Sequence, residues 1–544
     1  MLTTSSLEYI DNLVRQLSSE DNQWNSLAIA IDLADEIMKL ILPDNSKWQE
    51  QLSRDVRHTG KLPTSLPRDT FNNQKELSWF HEHPESSSAR SAFTHFYDED
   101  SLVESKFYWF SESATKSKIS VATSYSPNWE DSELTHATKY KVGIDFFLSG
   151  DTNTLLMVTS SQHKLRVLEF NGKLSNTQKQ ILQNNLNNAA SNPDESLLTE
   201  EISPQYLVHQ KIWNALQLKE VNKNFYKLIA DHFNELVVSM HQQGFQSEDS
   251  KQFSSRLLGR LLFVWFLRKM DIINENMEYF NVDDQSSSDY YENHLKTLFF
   301  STLNTEVKFR KHSDILTPYL NGGLFEAKYN DFSGKKIMFP DSFFKRLYDH
   351  FDEFNFTVDE SSPDFELIAV DPEMLGQVFE SLLASQIDDD GNNERNKKGA
   401  FYTPRTIVNY MVKETLRQYL YSQTTNSFHK FIDDLLDLPH AKWSAKISTS
   451  KTKVFGENTP LFIKQVKQAL DDFKVLDPAV GSGAFPMGML HLLLTTYERI
   501  EKKFDPYKLK LAIIEKNIFG VDIEPMAIEI ARLRAWLSVI VDEP

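Results

Sequence analysis

Glycine is scarce in this chain, 17 of 544 residues, yet Gly481, Gly483 and Gly488 fall within eight positions. They follow Phe473-Lys474-Val475-Leu476, a short run that reads as a strand, and precede an apolar stretch, 487–494, that reads as a helix. The string between is Asp477-Pro478-Ala479-Val480-Gly481-Ser482-Gly483-Ala484-Phe485. Strand, glycine turn and helix make a nucleotide-binding corner, because residues without a Cβ let the backbone approach a ligand. The dinucleotide fingerprint would need its third glycine where Pro486 stands. A carboxylate at Asp477, on the carboxyl end of the strand, would repel a pyrophosphate and suits a cationic nucleotide. S-adenosylmethionine, with its ammonium and sulfonium, fits that charge better than NAD.

A second acid completes the pattern. Asn517-Ile518-Phe519-Gly520-Val521-Asp522-Ile523-Glu524 runs from an apolar strand into an acidic end. An acid at the tip of the second strand is placed to accept both ribose hydroxyls, with Asp522 the first choice and Glu524 the second. Either one would also serve as a cap for the helix that Pro525 opens, which carries Ile528, Ala531, Leu533 and Trp536. The acidic run at 388–393 lacks the alternation and closing Glu of a calcium loop and reads as a solvated linker.

These residues need a scaffold. Residues 1–195 read as an α+β domain. Leu7, Ile10, Leu13, Val14 and Leu17 stand at helical spacing within a helical stretch of 1–55, and 60–105, rich in Ser, Pro and His, reads as loops. Three strands follow, Val142 to Leu148, Thr154 to Thr159 and Leu165 to Phe170, with Ser149-Gly150-Asp151 as the first turn. An Asn/Gln/Ser-rich stretch ending in Asn192-Pro193-Asp194 marks a boundary. Residues 196–390 read as mainly helical, with Leu257, Leu258, Leu261, Leu262 and Trp265 on the stripe of a core helix. Asp371-Pro372-Glu373 opens another helix, Asp371 as its cap and Leu375, Val378, Phe379 and Leu382 as its face. Residues 391–544 read as α/β.

Composition sets limits. With no cysteine there are no disulfides, no thiolate metal sites and no thiol nucleophile of the kind that methylation of a cytosine ring carbon needs. A net charge of −19 argues against a protein that coats nucleic acid non-specifically, though not against a local basic groove. No apolar run approaches the roughly 18 residues of a membrane span, and no secretory signal is visible, so a cytoplasmic protein without a membrane partner is expected.

The string Asp477 to Phe485 resembles the cofactor motif of N6-adenine DNA methyltransferases. Gly399-Ala400-Phe401-Tyr402-Thr403-Pro404 looks like the upstream motif of the same group, and its place before the glycine turn is the γ-type order. Tyr319-Leu320-Asn321-Gly322-Gly323-Leu324-Phe325 and Asp371-Pro372-Glu373-Met374-Leu375-Gly376-Gln377-Val378-Phe379-Glu380 resemble segments that precede the methylase core in large type IIG-like restriction-modification proteins. The resemblance spans roughly 205–544 and rests on these four strings in the expected order. It implies an incomplete Rossmann-like class I fold and methyl transfer from S-adenosylmethionine to the exocyclic N6 of adenine in double-stranded DNA. It also implies cofactor contacts from Phe401, Tyr402, Thr403 and Pro404, from Asp477, Pro478, Ala479, Gly481 and Gly483, and from Asp522 and Ile523. Thr403-Pro404 alone would simply open a helix near Arg405, and Arg395, Lys397 and Lys398 either touch phosphates or form an exposed basic loop.

That family methylates amines with an Asn/Asp-Pro-Pro-Tyr/Phe string after the fourth strand. No such string occurs here, and Asp505-Pro506-Tyr507 lies between the two strands, so no catalytic residue is assigned. The expectation is therefore a fragment, or one half of a split enzyme, that pairs with a C-terminal half or other defence-system subunits and does not methylate DNA alone. In related fused enzymes the N-terminal domain is a magnesium-dependent nuclease with an Asp and a later Glu-x-Lys on adjacent strands. The matching residues here are Asp145 and Gln162-His163-Lys164, which makes the domain degenerate and nuclease-like; no metal site is expected, with Asp145 the single candidate. Two other readings stand beside the methyltransferase: a non-catalytic cofactor-binding scaffold that docks a catalytic partner, and an RNA or protein methyltransferase.

Overall fold

The computed structural model describes residues 4–43, 49–52, 94–97, 100–110, 113–123, 126–129, 140–162, 164–193, 202–283, 286–320, 323–328, 331, 336–357, 365–374, 376–378, 403–438, 459–501, 505–523 and 525–540. Two amphipathic helices come first, α1 (Thr4–Ser18) and α2 (Gln23–Ile41). Their apolar stripes bury Ile10, Leu13, Val14, Leu17, Leu27, Ile31 and Ile37 in the main core. Strands β1 (Gln49–Leu52), β2 (Thr94–Tyr97) and β3 (Val103–Phe110), helix α3 (Lys116–Ala122), and strands β4 (Val142–Ser149), β5 (Thr154–Ser161) and β6 (Lys164–Phe170) follow. They form a sheet ordered as in the chain, antiparallel except where β3 runs parallel to β4.

The three strands expected between 140 and 170 are present within two residues of their expected ends. Strands β2 and β3 begin inside the stretch that reads as loops. The reason is visible in Val103-Glu104-Ser105-Lys106-Phe107, whose alternation places Val103 and Phe107 against α2 and turns Glu104 and Lys106 to the other face. One face of the sheet joins the core with α1 and α2, and the other carries a smaller cluster of Tyr108, Phe110, Phe147, Leu156, Val158 and Val167.

The next region is helical: α4 (Pro204–Ala215), α5 (Leu218–Gln242), α6 (Ser247–Lys269) and α7 (Phe343–Phe351). Helix α6 is buried on every side from Phe253 to Leu267, so its Leu/Trp stripe is part of a central helix rather than one wet on its far face. Burial extends to Arg256 and Arg260, which both pair with the buried Asp331, at 2.9 and 3.2 Å. Arg260 also donates to the carbonyls of Leu324 (2.6 Å) and Glu326 (2.8 Å), which satisfies its fork inside the core. The seventh strand, β7 (Phe365–Leu367), pairs parallel to β6, so the first sheet takes a strand from within the stretch read as helical.

The last region holds α8 (Arg405–Gln423), α9 (His429–Asp437), α10 (Thr459–Asp472), β8 (Val475–Asp477), α11 (Ala484–Ile500), α12 (Pro506–Lys516), β9 (Ile518–Gly520) and α13 (Pro525–Ile540). Here β8 and β9 form a parallel two-stranded sheet, with Leu476 opposite Phe519. Helices α8 to α12 share a core of their own. Helix α13 instead sends Ile530 and Leu537 into the main core, and its Trp536 ring lies 5.8 Å from Phe263 of α6. Among the described residues no helix is long and apolar enough to cross a membrane.

Candidate functional site

The chain leaves β8 at Asp477, whose Oδ1 accepts the Ala479 N–H at 3.0 Å and starts the turn. The other carboxylate oxygen, Oδ2, is buried and has no hydrogen-bond partner. Backbone bonds then sew the two strand ends together: Val521 N–H donates to Asp477 O and Val480 N–H to Val521 O, both at 2.9 Å. Gly481 takes φ +52° and Gly483 φ +89°, the left-handed region where a side chain is strained. Gly483 is the N-cap of α11, and a Cβ there would stand 3.0 Å from the Cβ of Ala531 on α13.

Asp522, at the end of β9, reaches across to this turn, its Oδ2 accepting the Gly481 N–H at 2.7 Å. The acid and the glycines expected to act together thus share one corner. The contact also gives Asp522 a task that spacing did not reveal: one of its oxygens holds the turn in shape. Pro478 and Ala479 are exposed on the turn, and Ile523 is 88 % exposed beside Asp522. Thr403 and Pro404 precede α8, which begins at Arg405 as expected; Phe401, Tyr402 and Glu524 lie outside the described residues. So do Gly399, Ala400, Arg395, Lys397, Lys398 and the acidic run at 388–393.

The upstream strings meet the same corner. Asp371 caps its short helix, accepting Met374 N–H at 3.2 Å, and binds Arg405 Nη2 at 3.0 Å. Arg405 also pairs with Glu373, which clamps the 371–378 segment to the start of α8. Gly376 lies so close to the turn that a Cβ would stand 2.4 Å from Ser482 Oγ. Arg534 of α13, buried, donates to Ser482 O at 2.9 Å, and a Cβ on Gly323 would stand 2.6 Å from Glu529 Oε1 of the same helix. Sequence reasoning missed Arg405, Arg534 and Ser482. Their signal is tertiary, since charges and a small residue without periodicity announce nothing until their partners are known.

The corner fits S-adenosylmethionine on the donor and acceptor chemistry it displays. A buried carboxylate oxygen without a partner is costly unless a donor reaches it, and an ammonium is such a donor. Asp477 and Asp522 give the corner negative charge, which a cation offsets and a pyrophosphate would not.

The nuclease-like candidates are placed differently. Asp145 lies on β4, and its Oδ1 accepts the Lys106 N–H of β3 at 3.0 Å. Glu104, Lys106 and Asp145 share the face that holds Tyr108, whose hydroxyl is pushed well above its usual value by burial first and then by Asp145 and Glu104. A Glu-x-Lys string, Glu104-Ser105-Lys106, therefore precedes Asp145 in the chain, whereas the nuclease pattern expects it to follow. Gln162 belongs to the tight connection between β5 and β6, with φ +52°, and Asp145 is registered with Val158 four residues earlier. His163 is outside the described residues. Among the described residues no group of three or more His, Cys, Asp or Glu side chains is arranged to hold a metal ion.

Over 322 residues the chain is 32% identical to a putative type II restriction enzyme and methyltransferase of Methanocaldococcus jannaschii, covering 54% of this chain and 25% of that protein. The chain thus spans about a quarter of the length of the curated relative it matches. Among solved structures it is similar to the type IIL restriction-modification enzyme MmeI in complex with DNA, with a TM-score of 0.34 and 20% identity over 57% of this chain and 36% of that one. No family model matches the chain.

Proposed function

We propose that this chain supplies the cofactor-binding part of a restriction-modification methyltransferase acting on the N6 amine of adenine in double-stranded DNA. The carrying observation is the corner itself: an unpartnered buried oxygen on Asp477, two left-handed glycines, and Asp522 bonded to one of them at 2.7 Å. The relative named for both restriction and methyl transfer supports the class of reaction. The γ-type order of the strings supports adenine N6 as the acceptor, and the incomplete Rossmann-like fold is the reading of β8, β9 and their helices that goes with it.

S-adenosylmethionine supplies the methyl group, carried on a sulfonium. In this reading the oxygen of Asp477 takes the ammonium of the methionine end, and the turn amides line the approach. Asp522 positions the turn through Gly481 and faces the sugar, while Ile523 offers an apolar surface for the adenine ring. Phe401, Tyr402, Thr403 and Pro404 close the methionine end. A cytoplasmic location fits this role.

Calorimetry of S-adenosylmethionine against the purified chain tests the proposal. One site is expected, lost in Asp477→Ala and at least about tenfold weaker in Asp522→Asn, which keeps an acceptor for Gly481 N–H. Binding untouched by both substitutions, or no binding by the native chain, would sink it.

A further inference from the structure

The segment 371–378 is built as a bridge. Its apolar side chains Met374 and Val378 are buried in the main core with α6. Gly376 lies on the glycine turn, where a Cβ would stand 2.4 Å from Ser482 Oγ and 3.4 Å from Arg534 Nη1. At its start Asp371 and Glu373, both buried, meet Arg405. Asp371 Oδ2 accepts from Arg405 Nη2 at 3.0 Å, and Glu373 pairs with the same nitrogen. Gln377 Nε2 holds Glu373 from its own helix at 3.0 Å. One guanidinium thus faces two buried carboxylates.

Arg405 follows Thr403-Pro404 directly and opens α8. That helix belongs to the other core, where Val408, Val412, Leu416 and Leu420 pack with α11. A Cβ on Gly488 would stand 2.7 Å from Val408 Cγ1, so α8 and α11 touch near their starts. Gly488, the third of the clustered glycines, therefore serves this close approach. The glycine turn leads into α11 and Thr403-Pro404 leads into α8, so both strings are carried on neighbouring helix starts. The bridge spans the two from the main core. Without Arg405, two like charges would stay desolvated side by side, and either the bridge or the start of α8 must move to hydrate them.

We propose that Arg405 is a positioning residue: by holding Asp371 and Glu373 it sets Thr403-Pro404 in register with the glycine turn, and so governs the grip on the methionine half of the cofactor. The proposal rests on the S-adenosylmethionine reading of the corner, in which the upstream string closes the methionine end. The adenosine half depends on a different contact. Asp522 is fixed through Gly481 N–H at 2.7 Å, between the turn and the end of β9. A shift of the α8 start therefore loosens one half of the site and spares the other.

Calorimetry of the full chain with two ligands tests this: S-adenosylmethionine, and methylthioadenosine, the same nucleoside without the methionine ammonium and carboxylate. Arg405→Gln should weaken S-adenosylmethionine at least about tenfold and leave methylthioadenosine within about twofold of the native value. Arg405→Lys, which keeps a cation between the two acids, should return S-adenosylmethionine to within about threefold of native. A general loosening of the fold would move both ligands alike. Should Arg405→Gln not fold, Glu373→Gln cuts one arm of the clamp and leaves the Asp371 cap. It is expected to weaken S-adenosylmethionine at least about threefold with methylthioadenosine unchanged. Equal loss for both ligands, or loss for neither, overturns the positioning role and leaves the cofactor reading standing. A native chain that binds S-adenosylmethionine but not methylthioadenosine overturns it too, since the adenosine half would then have no grip of its own. Binding of neither ligand by the native chain sinks the cofactor corner, and the positioning role with it.

Discussion

His209 shows how one buried side chain ties stability to pH. It lies fully buried between Trp129 (5.1 Å) and Trp213 (5.4 Å), with Nε2 3.2 Å from the Ser160 carbonyl. Burial, and secondarily the Arg166 charge, lower its pKa from 6.5 to about 4, against the opposing pull of the Ser160 carbonyl. The folded affinity for a proton is thus below the unfolded one. Its contribution is complete above pH about 6.5 and is lost as pH falls toward about 4, where the folded form is finally protonated. The shift corresponds to about 3 kcal/mol at most. His209→Phe keeps an aromatic ring in the stack and removes the titration. Between pH about 7 and about 4.5 the urea midpoint of the native chain should therefore fall relative to that of the variant. A gap of the same size at both pH values would show that His209 does not carry this linkage.

Elements differ in how far their sequences betray them. The turn at 481–483 was legible because scarce glycines, a preceding apolar run and a flanking acid are all local signals. The cap at Asp371 was legible as an Asx-Pro pair and accepts the Met374 N–H at 3.2 Å; Asp505, which the sequence did not mark as a cap, does the same for Lys508 N–H at 3.2 Å. Strand β7 was not legible, since Phe365–Leu367 is short and its place beside β6 depends on a partner some two hundred residues earlier. Nor was the hold of Asp522 on Gly481, which exists only once the strands lie side by side. Gly483 shows what local signals do fix. At φ +89° and with Ala531 only 3.0 Å from a would-be Cβ, Gly483→Ala must strain the backbone and push α11 off α13. A destabilisation of about 1–3 kcal/mol is expected, together with loss of cofactor binding. Thermal melts and calorimetry check both, and an unchanged melting temperature would refute the close packing.

For the whole molecule, α13 decides whether the corner is an independent unit. Its residues serve both sides at once. Arg534 holds the Ser482 carbonyl of the glycine turn at 2.9 Å, and the Ser538 carbonyl accepts from Lys510 of α12 at 2.7 Å. On the other side, Leu537 and Ile530 are buried in the core built around α6, with Trp536 against Phe263. A helix shared in this way couples two cores only if its apolar contacts outweigh the freedom gained by letting go. Leu537 is completely buried, so Leu537→Ala should cost about 2–5 kcal/mol. That loss falls on the joint and not within either core. Native-state hydrogen exchange in rising urea separates the cases. In the native chain, amides of α6 and α11 should become exposed together. In Leu537→Ala, α11 and α13 should open at lower urea while α6 stays protected. Should α6 and α11 already open separately in the native chain, α13 does not couple them, and the strings that converge on the corner meet through contact alone rather than through a common folding unit.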